Sequence, residues 1–294
     1  MSHRIKTTLR GRAALISLFV LFLIMIVWQL ATTQQGQVPH GQMTPEQIEY
    51  AKLMGQPIPG ADPGEPRHDG FPTPSQFLAV SANNLAHPFY DRGLNDKGIG
   101  IQLGWSLLRV AGGYLLAMAL AVPFGFLIGM SPVLYRAFDP FIQLLKPISP
   151  LAWMPIALYT IRDASTSAIF VIFICSVWPM LLNTAFGVAN VRRDWLNVAR
   201  TLEVGPMRKA FRIVLPAAAP TIVTGMRISM GIAWLVIVAA EMLVGGTGIG
   251  YFVWNQWNNL SLPNVIFAVL MIGVVGMVLD MVFAYLQRRV TYVE

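Results

Sequence analysis

The chain has 294 residues, of which 55% are hydrophobic and 12% are charged. Since soluble domains are about one-quarter charged, this composition argues against a soluble globular protein. The net charge of +7 is also compatible with a nucleic-acid-binding protein. The positions of the basic residues along the chain distinguish the two classes. The single cysteine, Cys175, excludes an intrachain disulfide framework and a metal site built from cysteines.

Six apolar stretches recur along the chain, each long enough for a helix that crosses the roughly 30 Å hydrocarbon core of a bilayer. They lie at about 13–30, 105–130, 140–161, 164–189, 217–244 and 264–286. The first follows a basic cluster and is longer than the apolar part of a cleaved signal peptide, so we predict a retained anchor. Because a bilayer core offers no water to backbone groups, the predicted fold class is an all-α integral membrane bundle of six transmembrane helices.

The basic residues are unevenly divided between the segments that connect these helices. With both termini in the cytoplasm, the cytoplasmic segments hold thirteen Lys and Arg and the outer segments hold five, against eight acidic residues. This is the positive-inside pattern of a multi-pass membrane protein. Topology therefore explains the excess charge, and we expect no nucleic-acid partner.

The predicted organisation has three parts: 1–30 with the basic segment and first transmembrane helix, 31–104 as an extracytoplasmic loop, and 105–294 as a core of five transmembrane helices. In the loop, Thr44 and Thr73 each precede a proline and have a glutamine three positions later. This pattern is typical of helix starts. We predict short helices near 45–54 and 74–86.

Prolines interrupt the third and fourth predicted spans. They are Pro147, Pro150 and Pro155 in the third and Pro179 in the fourth. Each removes a helical hydrogen bond, and the freed carbonyl group needs protein or a water-filled cavity as its partner. The pattern predicts either packing kinks in the bundle or spans that face a water-filled pathway.

The segment 190–216 carries six basic residues between two spans. We predict that Asp194 caps a helix whose apolar residues recur at helical spacing, namely Trp195, Val198, Ala199 and Leu202. Gly205 is predicted to end it, and a second helix is predicted from Pro206 to about Val214. Two short helices with an exposed apolar face are typical of a knob that docks into a partner's groove. A helix that lies in the membrane interface is the other interpretation.

This segment resembles the cytoplasmic signature of the permease subunits of bacterial ABC importers. The signature reads Glu-Ala-Ala, three residues, Gly, nine residues, Ile, one residue and Leu-Pro. Val198 and Ala199 occupy the positions of the two alanines, and Ile213, Leu215 and Pro216 match the end with the spacing intact.

Two positions depart from the signature. Asn197 stands where glutamate is usual, and Glu203 stands where the family has the glycine of a tight turn. We expect Gly205-Pro206 to supply a turn in its place.

Further stretches resemble the nitrate, sulfonate and taurine group of these permeases, and most of all the nitrate type, which includes bicarbonate and cyanate systems. They are Asp96-Lys97-Gly98, Ser106-Leu107-Leu108-Arg109, Pro150-Leu151-Ala152-Trp153-Met154-Pro155, Trp178-Pro179-Met180-Leu181-Leu182-Asn183-Thr184, Asn197-Val198-Ala199 and Ala233-Trp234-Leu235-Val236-Ile237-Val238-Ala239-Ala240-Glu241-Met242. The resemblance extends from about residue 71 to the end of the chain.

The resemblance implies a permease subunit of an ATP-driven importer in the bacterial inner membrane. The implied cargo is a small inorganic anion, nitrate first, with nitrite, cyanate or bicarbonate as alternatives and organic sulfonates or taurine as the next class. The implied partners are cytoplasmic ABC ATPase subunits, an extracytoplasmic solute-binding protein and a second permease chain, with a homodimer expected. An ion-gradient-driven secondary carrier is the competing transporter class.

The chain has no Gly-Lys-Ser or Gly-Lys-Thr, so it lacks the phosphate-binding loop of an ATPase. We therefore expect no enzymatic activity and no cofactor or metal in this chain, with ATP and magnesium bound by the partner subunit. By resemblance, the ATPase-coupling residues are Trp195, Asn197, Val198, Ala199, Leu202, Glu203, Gly205, Ile213, Leu215 and Pro216.

Five charged residues lie in or near the spans, where an uncompensated charge is costly. Lys146 and Asp280 are predicted to reach the cytoplasmic interface, and Arg109 is predicted to be structural. Arg227 and Glu241 lie about 21 Å apart along one helix, so each needs a partner of its own. Polar side chains on apolar spans predict a substrate pathway lined by Ser176, Trp178, Asn183, Thr184, Arg227, Trp234 and Glu241.

Overall fold

The computed structural model describes residues 2–33, 71–93 and 96–290, with side chains from residue 15 onward. This part of the chain is helical apart from turns and one isolated antiparallel bridge between Asp91 and Lys97. The helices are α1 Ser2–Thr33, α2 Pro74–Ala86, α3 Ile99–Met130, α4 Pro132–Leu145, α5 Pro150–Ile161, α6 Ala164–Ala189, α7 Arg193–Thr201, α8 Pro206–Lys209, α9 Leu215–Val244, α10 Ile249–Asn258 and α11 Leu262–Val290.

Five stretches in the described residues are helical, long and apolar enough to cross a membrane, or six if α4 and α5 count as one bent span. The all-α membrane fold is therefore confirmed. The predicted span 140–161, which its prolines are expected to interrupt, corresponds to parts of two helices, α4 and α5, that meet at 90°. Pro150 explains the break: the residue before a proline avoids helical geometry, and Ser149 has an extended ψ of 137°.

The chain divides into two compact units, Met1–Asn83 with Leu262–Asn264, and Asn84–Ser261 with Val265–Glu294. In the first unit, the indole Nε1 of Trp28 on α1 donates to the Pro72 carbonyl oxygen at 2.9 Å, and its ring packs against Phe71 and Phe77. These contacts fix the start of α2 against α1.

The predicted helix over 74–86 is confirmed. Thr73 Oγ1 accepts from the Gln76 amide at 3.4 Å, and the Gln76 side chain accepts from the Thr73 amide at 3.0 Å. This reciprocal pair is the capping box that the sequence predicts. The other predicted helix start, near 45–54, lies outside the described residues.

The second unit is built on the packing of α3 against α6 and of α6 against α9. Small residues recur every fourth position along α3, at Gly113, Ala117, Ala121, Gly125 and Gly129. A Cβ atom on any of these three glycines would lie 2.6 Å from a backbone carbonyl oxygen of α6. The row therefore lets the two helix backbones approach closely, as small-residue repeats do in membranes.

The predicted fifth span, 217–244, is confirmed as α9, but it does not begin separately from the loop before it. A π-helical turn, Ala210–Val214, joins α8 to α9 without a break, so the helix is continuous from Pro206 to Val244. Pro216 has no amide proton to give to the preceding turn, and a π-bulge is one way in which a helix accommodates such a gap. The short helix α10 was not predicted.

Candidate functional site

The loop 190–216 attaches to the bundle by one face of α7. Ala199 is 2% exposed, and Leu196 packs against a cluster of buried residues from the end of α6 and the start of α9. These cluster residues are Val188, Val191, Val214, Ala218 and Ile222. The attachment explains why α7 is held in place although it has only nine residues.

The other face of α7 is apolar and exposed. Trp195, Val198 and Leu202 are 43%, 58% and 70% exposed, and Met207 and Phe211 continue the exposed apolar surface beyond the turn. A groove of about 610 Å³ lies beside them, lined by Gly205, Pro206, Met207, Arg208, Phe211 and Arg212. Of the predicted apolar face, only Ala199 therefore points inward.

Two local predictions for this loop are wrong. Asp194 does not cap α7; it lies in the first helical turn, and the capping position is Arg192, which makes no side-chain cap bond. The tight turn is at Glu203 and not at Gly205. Glu203 adopts a left-handed φ of 49°, and the Val204 amide donates to the Ala199 carbonyl oxygen at 3.0 Å. Glutamate thus adopts the conformation for which glycine is usual.

Asn197 and Pro216 are exposed, and Ile213 and Leu215 are half-buried. Leu215 packs against the same buried cluster as Leu196. Some of the predicted coupling residues, such as Trp195 and Val198, are therefore exposed, whereas Ala199 and Leu215 anchor the loop to the bundle.

A buried polar cluster surrounds Glu241, near the end of α9. Its carboxylate accepts from Arg109 Nη1 at 2.8 Å, from Ser106 Oγ at 2.8 Å and from the Gly250 amide at 3.0 Å. Glu241 is 2% exposed. A Cβ on Gly248 would meet the same carboxylate, so only glycine fits there. The expectation that Glu241 has its own partner is confirmed.

The same cluster holds the turn that leads into α10. Gln102 accepts from the Gly248 amide, Ser106 accepts from the Ile249 amide at 2.9 Å, and Arg109 donates to the Thr247 carbonyl oxygen. Arg109 also donates to Ser165 in the first turn of α6 at 2.9 Å. The cluster therefore ties the ends of α3, α6 and α9 to the start of α10.

Asp163 begins α6 beside this cluster. Its carboxylate accepts from the Thr166 amide at 2.7 Å, in the manner of an N-cap. Hydrogen bonds from the side chain and then the backbone amide of Thr166 lower the pKa of Asp163 below its ordinary value, and Arg109 acts in the same direction.

A second ion pair joins α9 to α11. Arg227 donates to both carboxylate oxygens of Asp280, each at 2.6 Å. The Asp280 carboxylate is therefore engaged by Arg227, and its position at the cytoplasmic interface stays a prediction. Arg227, Asp280 and Trp234 line a cavity of about 390 Å³, and Trp234 Nε1 donates to the Ile272 carbonyl oxygen at 2.9 Å.

A cavity of about 790 Å³ lies among α3, α4, α6 and α9. Its lining residues are Ile128, Gly129, Pro132, Tyr135, Arg136, Lys146, Pro179, Leu182, Asn183, Phe186, Ala189, Asn190, Ile228 and Ile232. Of the predicted pathway residues, only Asn183 lines it. Arg136 was not predicted, because it lies outside the predicted spans, and Lys146 was interpreted as an interfacial charge.

The remaining predicted pathway residues lie elsewhere. Ser176 and Thr184 are fully buried, and their hydroxyl groups have no hydrogen-bond partner within the described part of the chain. The Ser176 carbonyl oxygen accepts from Ser229 of α9 at 2.7 Å, and Trp178 is half-buried. The seven residues are thus distributed over helix interfaces, two cavities and the Glu241 cluster. No group of three potential metal ligands occurs among the described residues.

Residues 121–292 match the family described as the binding-protein-dependent transport system inner membrane component. The nitrate import permease protein NrtB of Synechocystis sp. is 45% identical over 223 residues, which cover 76% of this chain and 81% of the relative. The bicarbonate transport system permease protein CmpB of Synechocystis sp. is 46% identical over 70% of this chain and 74% of the relative.

Among solved structures, the inward-facing MetNI methionine ABC transporter matches with a TM-score of 0.58 at 14% identity, covering 64% of this chain and 94% of that chain. An amino acid ABC transporter matches with a TM-score of 0.54 at 14% identity, covering 76% of this chain and 99% of that chain. These similarities show a shared fold. The chain belongs to the ABC permease family, the inner-membrane components of binding-protein-dependent transport systems.

Proposed function

We propose that this chain forms the translocation pathway of an ATP-driven importer for a small inorganic anion, with nitrate as the first candidate. The identity of 45% to a nitrate import permease, over 76% of the chain, carries the proposal. Bicarbonate is the second candidate, because a bicarbonate permease is equally similar. Both anions are planar oxyanions with a single negative charge.

The cargo is tested with the whole importer: this chain, its ATPase and its binding protein, reconstituted in vesicles. Uptake is measured with nitrate, nitrite, cyanate, bicarbonate and taurine. We expect ATP-dependent uptake of nitrate, with bicarbonate as the nearest competitor. Uptake of taurine alone would contradict an inorganic anion as the cargo and favour the sulfonate class.

Family membership implies an ATPase and a binding protein as partners in general terms. We propose that two copies of this chain surround one pathway, with both termini in the cytoplasm, and that ATP and magnesium bind only to the ATPase. The mass of the purified complex tests the copy number. A complex with two different permease chains would contradict the homodimer.

The loop 190–216 is our candidate for the surface that contacts the ATPase. Its residues Trp195, Val198 and Leu202 form an exposed apolar surface, which is typical of a protein–protein contact. The buried Ala199 anchors the loop to the bundle. The arginines of the segment add positive charge around this apolar surface.

Cysteine cross-linking tests this contact. With Cys175 replaced by serine, a cysteine at Asn197 or Thr201 should form a cross-link to the ATPase whose yield changes with nucleotide. A cysteine at Arg162, at the opposite end of the bundle in the proposed topology, serves as the control. Absence of a cross-link from both loop positions in an actively transporting complex would refute the assignment.

For the pathway, we retain the seven predicted residues as candidates and rank Asn183 first, since it lines the cavity of about 790 Å³. Asn183→Leu should slow uptake. Arg227→Gln tests the alternative in which the cavity next to α11 carries the anion. Unchanged uptake in both variants at normal expression would remove both cavities from the pathway.

A further inference from the structure

The cavity of about 790 Å³ is lined by basic and neutral polar residues but by no acidic residue. Its fourteen lining residues include two cations, two asparagines and one tyrosine, and none of them is acidic. Arg136 and Tyr135 lie on α4, and Lys146 is the first residue after α4, at the bend before α5. The remaining walls are mostly apolar.

The two cations on this cavity differ from Arg109 and Arg227, the arginines of α3 and α9. Arg109 is paired with Glu241, and Arg227 is paired with Asp280. In contrast, within the described residues neither Arg136 nor Lys146 has an ion-pair partner, and the Tyr135 hydroxyl has no hydrogen-bond partner. The nearest acid along α4, Asp139, accepts from Gln143 at 2.7 Å and does not line the cavity.

Asn183 adds a polar group to the opposite wall, on α6. One hydrogen of its side-chain amide is donated to the Pro179 carbonyl oxygen at 2.8 Å, which leaves the second hydrogen available. The cavity therefore combines two unpaired positive charges with neutral donors and apolar walls. A pathway site must bind an ion firmly enough to admit it and weakly enough to release it. Exposed cations without an ion-pair partner, set among neutral donors, meet that condition.

We propose that Arg136, Lys146 and Tyr135 form a binding site for a small oxyanion with a single negative charge, and that the transported anion occupies this site on its way through the chain. The second part of the proposal rests on the proposed function. The site favours an anion over a cation because none of its lining residues carries a carboxylate.

Uptake by the full reconstituted importer tests the site. The variants are Arg136→Gln, Lys146→Gln and the double variant, and Arg288→Gln is the control, since it removes one positive charge from an exposed position outside the cavity. We expect a loss of nitrate uptake of about tenfold in each single variant, the effect of losing one charge-assisted hydrogen bond, and a larger loss in the double variant. The concentration of loaded binding protein that gives half-maximal uptake should stay unchanged. The conservative pair Arg136→Lys with Lys146→Arg should restore uptake.

Vesicle composition distinguishes the transported anion from a lipid headgroup. The loss should be the same in vesicles of phosphatidylcholine alone and in vesicles that contain phosphatidylglycerol. A loss seen only with phosphatidylglycerol would assign the two cations to a lipid and overturn the proposal. Wild-type uptake by the double variant would also overturn it.

Bromide soaked into crystals of the complex gives a readout that does not depend on transport. An anomalous peak between Arg136 and Lys146 should be present in the wild type and absent from the double variant. If the importer carries no nitrate but the bromide peak is present, the cargo assignment fails and the anion site stands. No peak in the wild type would overturn the site itself.

Discussion

Glu241 is a buried charged residue with three different hydrogen-bond donors. One buried carboxylate accepts from a guanidinium group, a hydroxyl group and a backbone amide. A buried charge in a membrane protein needs such compensation from an opposite charge and from hydrogen-bond donors. Its hydrogen bond with the Gly250 amide holds the turn before α10, and the Glu241 side chain leaves no room for a Cβ at Gly248 or Gly250.

Glu241→Gln should destabilise the complex strongly. Removing one member of a buried ion pair leaves Arg109 uncompensated and costs about 3 kcal/mol or more. The thermal unfolding of the purified complex measures the loss. The double variant with Arg109→Gln should be less destabilised than the sum of the two single variants, and an additive result would contradict the direct pairing.

Glu203→Gly should stabilise the turn after α7. A left-handed φ costs a residue other than glycine about 1 kcal/mol, and Glu203 has a φ of 49°. Hydrogen exchange at the Val204 amide, which donates to Ala199, should become slower. Glu203→Ala is the control, because it removes the charge and keeps the strain. Equal slowing in both variants would mean that the charge, and not the backbone conformation, matters.

At the scale of elements, the spacing between α3 and α6 is set by small residues. Gly112 and Gly113 are adjacent, but a Cβ on Gly113 would lie 2.6 Å from the Ile169 carbonyl oxygen, whereas a Cβ on Gly112 would have its nearest contact at 3.8 Å. The two positions therefore offer a matched comparison within one helix.

Gly113→Ala should destabilise the bundle by about 1–3 kcal/mol, since a backbone atom of α6 must move. Gly112→Ala should be neutral or stabilise by up to about 1 kcal/mol, because alanine favours a helix more than glycine does. Thermal unfolding of the two variants measures the difference. Similar behaviour of both would contradict the close helix contact.

Several elements could be predicted from the sequence because their signals are local. Hydropathy located the spans, and Thr73 with Gln76 located the start of α2. The partners of Arg227 and Glu241 could not be predicted, since they lie 53 and 132 residues away along the chain. Prolines predicted a break before α5, but no local pattern gives its angle of 90°.

The candidate site was predicted less completely than the fold. Asn183 was identified as a polar residue on an apolar span. Arg136 was missed because α4 begins at Pro132, earlier than the predicted third span. A search for basic residues beside the prolines of a broken span would have found Arg136 and Lys146. The turn at Glu203 was misplaced because glycine propensity favoured Gly205, while the packing of Ala199 and Leu196 fixes where α7 ends.

At the scale of the whole molecule, the chain belongs to a family of permease subunits of ABC importers. The sequence contains no Gly-Lys-Ser or Gly-Lys-Thr, and we propose that a partner ATPase supplies the energy for transport. The excess of positive charge lies in the segments assigned to the cytoplasm, where the ATPase is expected.

We propose that this chain carries an anion when a partner hydrolyses ATP. The direct measurement is nitrate uptake into vesicles that contain the complete importer, with ATP on the side of the ATPase and loaded binding protein on the other side. We predict uptake that requires ATP, stops when the ATPase is inactivated and persists when the proton gradient is collapsed. Uptake that continues with an inactive ATPase and follows the proton gradient would contradict the account.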